Sequence, residues 1–368
     1  MKIGILTFHR SHNYGAFLQC YGLTHFLKEL GHEVEVINFN NISPKGYSIA
    51  WSKHPIRNFY MFSRYRMFNR QQKRLDLSMP AVDSSSSEEL CRLVCGKYDL
   101  IITGSDEVWR TAGGFRGVPN PYWLCGDTGS KKMAYAVSSR SDFALLTDEQ
   151  REGIRNSLAD FSFISMRDRF SQEMVQTMTE KKVHLCCDPT YLYDMRGDRA
   201  RGREMLKKRF GVKGDRPIVG LMGKEKHLVR ALREAFGKRI DIVSLYDYNA
   251  GTVNAMSLDP FEWIDAISAM DFMFTNYFHG MCFCIQNNTP FLAIDRREKI
   301  VERGKMYDLL EIEGLLDLFM TRNDSDYIAK AVQYLCEALE RQDCVDFSQV
   351  VAHQKKTAES FIWALESL

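Results

Sequence analysis

No stretch of this 368-residue chain holds 18 consecutive apolar residues, so the sequence offers no candidate for a membrane-spanning helix. Its first residues, MKIGILTFHR, carry only a short apolar run broken by Thr7, His9 and Arg10, which is not the core of a secretory leader. A cytoplasmic location is the expectation. There is no CxxC pair. The ten cysteines are scattered at positions 20, 91, 95, 125, 186, 187, 282, 284, 336 and 344, a pattern that reads as small core residues in a reduced compartment and argues against a zinc site or a disulfide framework. Charge of one sign is missing too: with 49 basic and 47 acidic side chains the formal net charge is +2, which demands no polyanionic partner. No internal repeat is visible, and Asp and Glu are dispersed, so neither a metal nor a redox cofactor is expected.

What is present is alternation. The length divides into roughly two domains at about 150 residues each, which makes two lobes and a cleft the starting expectation. KIGILTF reads as a strand. The following NYGAFLQCYGLTHFLKELGH places Ala16, Cys20, Leu23, Leu27 and Leu30 on one helix face, Gly31 ends that helix, and EVEVINF is the next strand. Strand, helix and strand in such short order imply a parallel βαβ unit. Further strands are expected at YDLIITG, KMAYAVS, FSFISM and VHLCC, and in the second half at PIVGLMG, IDIVSLY, DFMFTNY and PFLAID, with helices between them. The fold class read from this pattern is α/β, with two Rossmann-like doubly wound lobes. The boundaries expected are 1–188 for the first lobe, 189–216 for a basic linker with a short helix, 217–345 for the second lobe, and 346–368 for a terminal helix packing back on the first.

In open α/β sheets ligands sit beyond the carboxyl ends of strands, near helix N-termini. Polar residues at those junctions are therefore the candidates: Asn13 and Gly15 after the first strand, Ser105 and Asp106 in ITGSDEVW, Arg167 and Asp168 in SMRDRFS, and His279 and Gly280 in TNYFHGM. His279 suits proton transfer near neutral pH, and Gly280 would let backbone and ligand approach. Each has a plainer reading: Ser105, Asp106 and Asp168 as turn or cap residues, Asn13 as a loop residue, His279 as a helix cap or a filler of a polar gap.

The segments GILTFHRSHNYGAFLQCYGLTHFLKELGHEVEVINF, YDLIITGSDEVWR, ISMRDRFS, DPFEWIDAISAMDFMFTNYFHGMCFCIQNNTPFLAI and KMYDLLEIEGL, in this order, resemble the polysaccharide pyruvyltransferase family. The most specific pieces are NYGA-x-LQ, GSD-x-VW and the Phe-His-Gly before a helix. The resemblance spans nearly the whole chain and implies a GT-B-like arrangement of the two lobes. It also implies transfer of a pyruvyl group from phosphoenolpyruvate to a sugar or glycan, commonly as a cyclic ketal, with no cofactor beyond the donor substrate itself. Under that implication Arg167 would hold the donor, while Lys299, Lys305 or Arg303 would neutralise the leaving phosphate. His279 would protonate the enol methylene. Asp106 would stabilise cationic carbon or take a proton from the sugar, and Asn13 and Ser105 would bind sugar hydroxyls. The segment AYAVSSR departs from the family pattern and leaves Arg140 as either a substrate contact or a surface charge.

Between Trp51 and Arg74 lie seven Lys or Arg and no acid, interleaved with five Phe or Tyr. This is either a solvated helix with an aromatic core face, or a patch drawn to the inner face of an anionic membrane or to a lipid-linked sugar acceptor. No nucleic-acid module accompanies it. Two other functions stay open: a GT-B-like glycosyltransferase using a nucleotide sugar, and a non-catalytic scaffold of the same fold. Oligomeric state is not legible.

Overall fold

The structure is a computed structural model that describes residues 1–41, 55–111, 117–295, 304–341 and 345–368. The chain folds into two compact units: 1–48, 70–194 and 353–368 form the first, and 49–69 with 195–352 form the second.

The first unit is built on six parallel strands: β1 (Lys2–Leu6), β2 (Glu33–Val36), β5 (Leu100–Thr103), β6 (Lys131–Val137), β7 (Phe161–Met166) and β8 (Val183–Leu185), in the spatial order β2-β1-β5-β6-β7-β8. A separate pair, β3 (Phe39–Asn40) and β4 (Val82–Asp83), flanks them. Helices α1 (Tyr14–Glu29), α3 (Ser87–Val94), α4 (Asp148–Ala159) and α5 (Arg169–Gln176) form the connections. All four residues of β5 are buried, as befits a parallel sheet covered on both faces. On one face Trp109 stacks on Trp123 at 4.3 Å, and Phe161 meets Trp109 edge-on. On β6 and β7, Tyr135 and Phe163 receive Phe361 of the final helix at 4.4 and 5.8 Å.

The second unit repeats the plan with β9 (Ile218–Met222), β10 (Asp241–Ser244), β11 (Val253–Asn254), β12 (Phe272–Thr275), β13 (Phe291–Asp295) and β14 (Phe319–Thr321), in the order β11-β10-β9-β12-β13-β14. Counted along its own chain this is 3-2-1-4-5-6, the order of dinucleotide-binding folds. Its helices are α2 (Pro55–Gln71, all but its last two residues), α6 (Arg199–Phe210), α7 (Lys226–Phe236), α8 (Pro260–Ser268), α9 (Phe278–Gln286), α10 (Lys305–Ile312) and α11 (Tyr327–Arg341). The chain ends in α12 (Ser348–Lys356) and α13 (Glu359–Glu366), the latter belonging to the first unit.

Two stretches sit otherwise than their local composition suggests. The basic segment after Pro189 contains α6, a full three turns of helix within the second unit, because its arginines meet acids there. Arg199 and Arg203 pair with Asp271 at 2.6 and 2.5 Å, Arg201 with Asp265 at 2.5 Å, and Arg209 with Glu262 at 2.6 Å. Gly202 makes the approach to α8 workable, since a Cβ there would lie 2.0 Å from the Asp265 carbonyl oxygen. Helix α2, close to the first strands in sequence, groups largely with the second unit: Arg64 lies 4.6 Å over the Tyr246 ring and donates to the Tyr246 carbonyl at 3.3 Å.

Candidate functional site

In each unit the direction of strand succession reverses once, between β1 and β5 in the first and between β9 and β12 in the second. The carboxyl ends at these reversals are where an open parallel sheet leaves room for a ligand.

At the first reversal the chain leaves β5 through Gly104, where a Cβ would come within 3.0 Å of the Thr7 side chain. It then enters Asp106 at φ +87°, a left-handed conformation that a non-glycine residue adopts at a cost of about 1–3 kcal/mol. Asp106 is held there by a lone parallel bridge to Val137, in which its carbonyl accepts from Ser138 N–H at 2.9 Å. Arg167, just past β7, has a wholly buried side chain. Its Nη1 donates to Asp188 Oδ2 at 2.9 Å and to Ser105 Oγ at 3.3 Å, and its Nη2 donates to Asp106 Oδ1 at 3.1 Å. Ser105 Oγ donates in turn to Asp188 Oδ2 at 3.2 Å. Burial opposes the guanidinium charge, but the carboxylates of Asp106, Asp188, Glu107 and Asp168 outweigh it and hold Arg167 protonated more firmly than an ordinary arginine. Asp106 Oδ1 also accepts from its neighbour Glu107 N–H at 2.9 Å, whereas Oδ2 has no protein partner among the described residues. The arrangement presents one carboxylate oxygen and locks the other.

The guanidinium expected to grip a donor is thus committed to Asp106, Asp188 and Ser105, because two acids from distant segments reach it in the interior. Asn13 is the N-cap of α1, its Oδ1 accepting from Gly15 N–H at 2.9 Å and Ala16 N–H at 3.3 Å, and Gly15 is buried in the first turn. Asp168 caps α5 through Ser171 N–H at 2.8 Å. Arg140, at φ +46°, bonds Glu107 at 3.0 Å beside Asp106.

Three residues of this edge escape a reading of strand ends alone: Asp188, Thr7 and Gln19. Fully buried Gln19 donates to Thr7 Oγ1 at 3.1 Å, and Thr7 Oγ1 donates to the Ser105 carbonyl at 2.8 Å, so α1 is tied to the Ser105–Asp106 turn. Gln19 is the last letter of NYGA-x-LQ; a glutamine on the buried face of an amphipathic helix is the signal that marks it.

The second reversal is built by close packing. Gly223, at φ +136°, leaves no room for a side chain: a Cβ would fall 1.9 Å from Asn276 Nδ2. That amide donates to Glu225 Oε1 at 3.2 Å, and Arg322 bonds the same oxygen of this buried carboxylate. Helix α9 begins at Phe278, one residue before His279, with Tyr277 as an N-cap that supplies no side-chain acceptor. The first-turn amides of a helix have no intrahelical carbonyl to accept from them, and here the N-cap side chain supplies none. His279 is half-buried on this turn, its ring 5.4 Å from that of Phe278, and Lys305 Nζ, at the start of α10, lies 5.3 Å from the same Phe278 ring. Two of the expected donor-side residues are thereby brought to one place. Lys299 and Arg303 lie outside the described residues. Gly280 has a packing role rather than a turning one, since a Cβ would sit 2.6 Å from both Met222 Sδ and Thr275 Oγ1. Beside the turn, Tyr277 donates to Asp247 Oδ2 at 2.8 Å and its ring lies 4.7 Å from Tyr246.

Among the described residues no group of three or more His, Cys, Asp or Glu is arranged to hold a metal ion, and no helix is long and apolar enough to cross a membrane.

Compared with known protein families, residues 13–298 match the model of the polysaccharide pyruvyl transferase family. The chain belongs to that family. Its similarity to solved structures concerns the fold. The Anabaena protein HepE in complex with UDP and glucose superimposes with a TM-score of 0.61 at 10% identity, over 100% of either chain. The UDP-GlcNAc 2-epimerase of Neisseria meningitidis, bound to UDP-GlcNAc, gives 0.54 at 9% identity, and that of Methanocaldococcus jannaschii 0.53 at 9%, again over 100% of both chains. These pyruvyl transferase lobes are therefore GT-B-like. No curated protein matches the chain significantly.

Proposed function

We propose that this family member transfers the pyruvyl group of phosphoenolpyruvate to two hydroxyls of a sugar during polysaccharide or glycolipid assembly, releasing phosphate. The observation that carries the reading, beside family membership, is the α9 start: a helix N-terminus without a side-chain cap, with His279 and Lys305 beside the Phe278 ring. An anion with a phosphate and a carboxylate is what such a helix start and a neighbouring ammonium attract. The reaction needs a proton delivered to the enol methylene while a sugar oxygen bonds to the adjacent carbon. A second sugar oxygen then replaces phosphate, which leaves with the C–O bonding pair, and each hydroxyl gives up its proton. His279 supplies the carbon-bound proton. Asp106, with Oδ2 presented and Oδ1 locked, stabilises the cationic carbon or accepts a hydroxyl proton. Arg167 then serves as the residue that positions Asp106, and Ser105 keeps that pair aligned with Asp188. Asn13 and Ser105, expected at the sugar hydroxyls, are both engaged in the fold and would act on the acceptor through the turns they hold. Beyond the donor and the sugar acceptor, this reaction calls for no cofactor. We assign the reaction to the cytoplasm, at the inner membrane face.

A second reading, glycosyl transfer from a nucleotide sugar, draws on the Tyr246–Tyr277 pair with Asp247 at the same edge, an aromatic surface beside a carboxylate, and on the UDP carried by HepE. Calorimetric titration separates them. Phosphoenolpyruvate should bind the wild type and bind more weakly to Lys305→Ala and His279→Ala. Binding of UDP-sugars with no response to phosphoenolpyruvate, even with sugars present, would overturn the pyruvyl reading. Cellular function that survives substitution of His279, Asp106 and Arg167 together would favour a scaffold.

A further inference from the structure

Helix α2 carries its aromatic residues on opposite sides. One side is turned inward: Arg64, Phe68 and Gln71 are buried, with Arg64 stacked on Tyr246. On the other side Phe59 is 69% and Phe62 45% exposed, and Arg66 and Arg70 follow in the open. At about 100° per residue these four side chains fall within an arc of about 80°, diametrically opposite the buried set. Core packing therefore accounts for half of the helix and leaves unexplained why large apolar rings face water on the other half. Single exposed apolar residues are ordinary, but two phenylalanines one turn apart, continued by two arginines along the same line, form a patterned surface. No acid occurs from Trp51 to Arg74, and among the described residues no carboxylate pairs with Arg66 or Arg70. The start of the segment, 51–54, lies outside the described residues.

We propose that this outward face of α2 docks the protein on an anionic lipid bilayer, the two phenyl rings entering the boundary between headgroups and acyl chains while Arg66 and Arg70 meet the headgroup phosphates. The charge is complementary to such a surface and self-repelling towards a second copy of the same face. Aromatic rings combined with cations on one side of a helix lying in the interface plane give binding that adds apolar burial to electrostatic attraction. This deepens the location assigned under the proposed function and rests on none of the pyruvyl chemistry. Vesicle binding is read without turnover, so its failure and the failure of the transfer reaction are separately visible.

The test is flotation of the full chain with phosphatidylcholine vesicles, with and without phosphatidylglycerol. The protein should float with the anionic vesicles and be released by added salt. Each exposed cation near an anionic surface strengthens partitioning about fivefold, so Arg66→Glu/Arg70→Glu should lower it by more than about tenfold. Phe59→Ser/Phe62→Ser should lower it at every salt concentration. All four positions are solvent-facing, so both double variants should keep the wild-type melting temperature. Flotation no greater with anionic than with neutral vesicles overturns the proposal, as does wild-type partitioning by both double variants. Binding to a single-stranded RNA oligonucleotide that exceeds vesicle binding at the same salt would reassign the face to nucleic acid and overturn it too.

Discussion

The two units share a six-stranded parallel sheet with one reversal of strand order, yet they finish its carboxyl edge by different physics. In the first, ions do the holding. Arg167 and Asp188 have no exposed side-chain surface, and Asp106 is kept in a left-handed conformation between a backbone bridge and a charged hydrogen bond. In the second, contact does it: Gly223 and Gly280 admit neighbours that would collide with any Cβ, and the half-buried His279 is left on an uncapped helix start. A charged cluster fixes one oxygen of one carboxylate tightly and makes the fold dependent on it. Close packing fixes a helix axis and sets His279 on its first turn.

If that contrast holds, substitutions at the two edges should fail in different ways. The largest effect is expected at His279: His279→Ala should lower phosphate release from phosphoenolpyruvate and a sugar acceptor by about 10²- to 10⁴-fold, with an unchanged denaturation midpoint. A similar rate would remove the histidine from the chemistry. Arg167→Met should instead unfold the protein more easily, by about 3–5 kcal/mol in urea titration, because it leaves the buried Asp188 and the adjacent Asp106 without their cation. Adding Asp188→Asn to Arg167→Met should relieve part of that loss, and strict additivity would break the account of a coupled cluster. Gly280→Ala should cost about 1–3 kcal/mol through the clash with Met222 and Thr275.

Helix capping offers a control on which the units should agree. Thr147 at α4 and Asp259 at α8 each form a reciprocal capping box, so replacement by alanine should cost about 1 kcal/mol in either. The smallest effect is a pH dependence in the first unit. Burial lowers the pKa of His9 below 6.5, against opposing hydrogen bonds to Thr7 and Asn38. The unfolded chain therefore takes up this proton first. Stability is complete above about pH 6.5 and declines as pH falls from there towards the lowered folded value. His9→Gln should remove that slope from melting curves recorded between neutral and mildly acidic pH.

Much of this is legible in the sequence, since apolar runs such as DLIIT and DFMFT announce strands buried on both faces, and the amphipathic spacing after Asn13 announces α1. His279 is visible because it interrupts an otherwise apolar junction. What escapes depends on partners far along the chain. Nothing near Arg167 reveals that Asp106 and Asp188 will reach it, so an arginine that positions a carboxylate looks the same as one that waits for a substrate. Gly280 reads as a turn glycine until Met222 is placed beside it. The arginines of α6 read as part of a basic linker with a short helix until Asp265 and Asp271 meet them. Periodicity shows that α2 has two faces but not which one turns inward, and strands of two residues, such as β3 and β11, are too short to carry a pattern.

The first unit is assembled from three separated stretches, the last being residues 353–368, and Phe361 from that stretch is fully covered against Tyr135 and Phe163. On a ribosome the 158 residues from 195 to 352 come between, which at ordinary synthesis rates is on the order of 10 to 30 seconds. During that interval the sheet of the first unit waits with an uncovered aromatic surface. The second unit is thus complete in sequence before the last stretch of the first has been made.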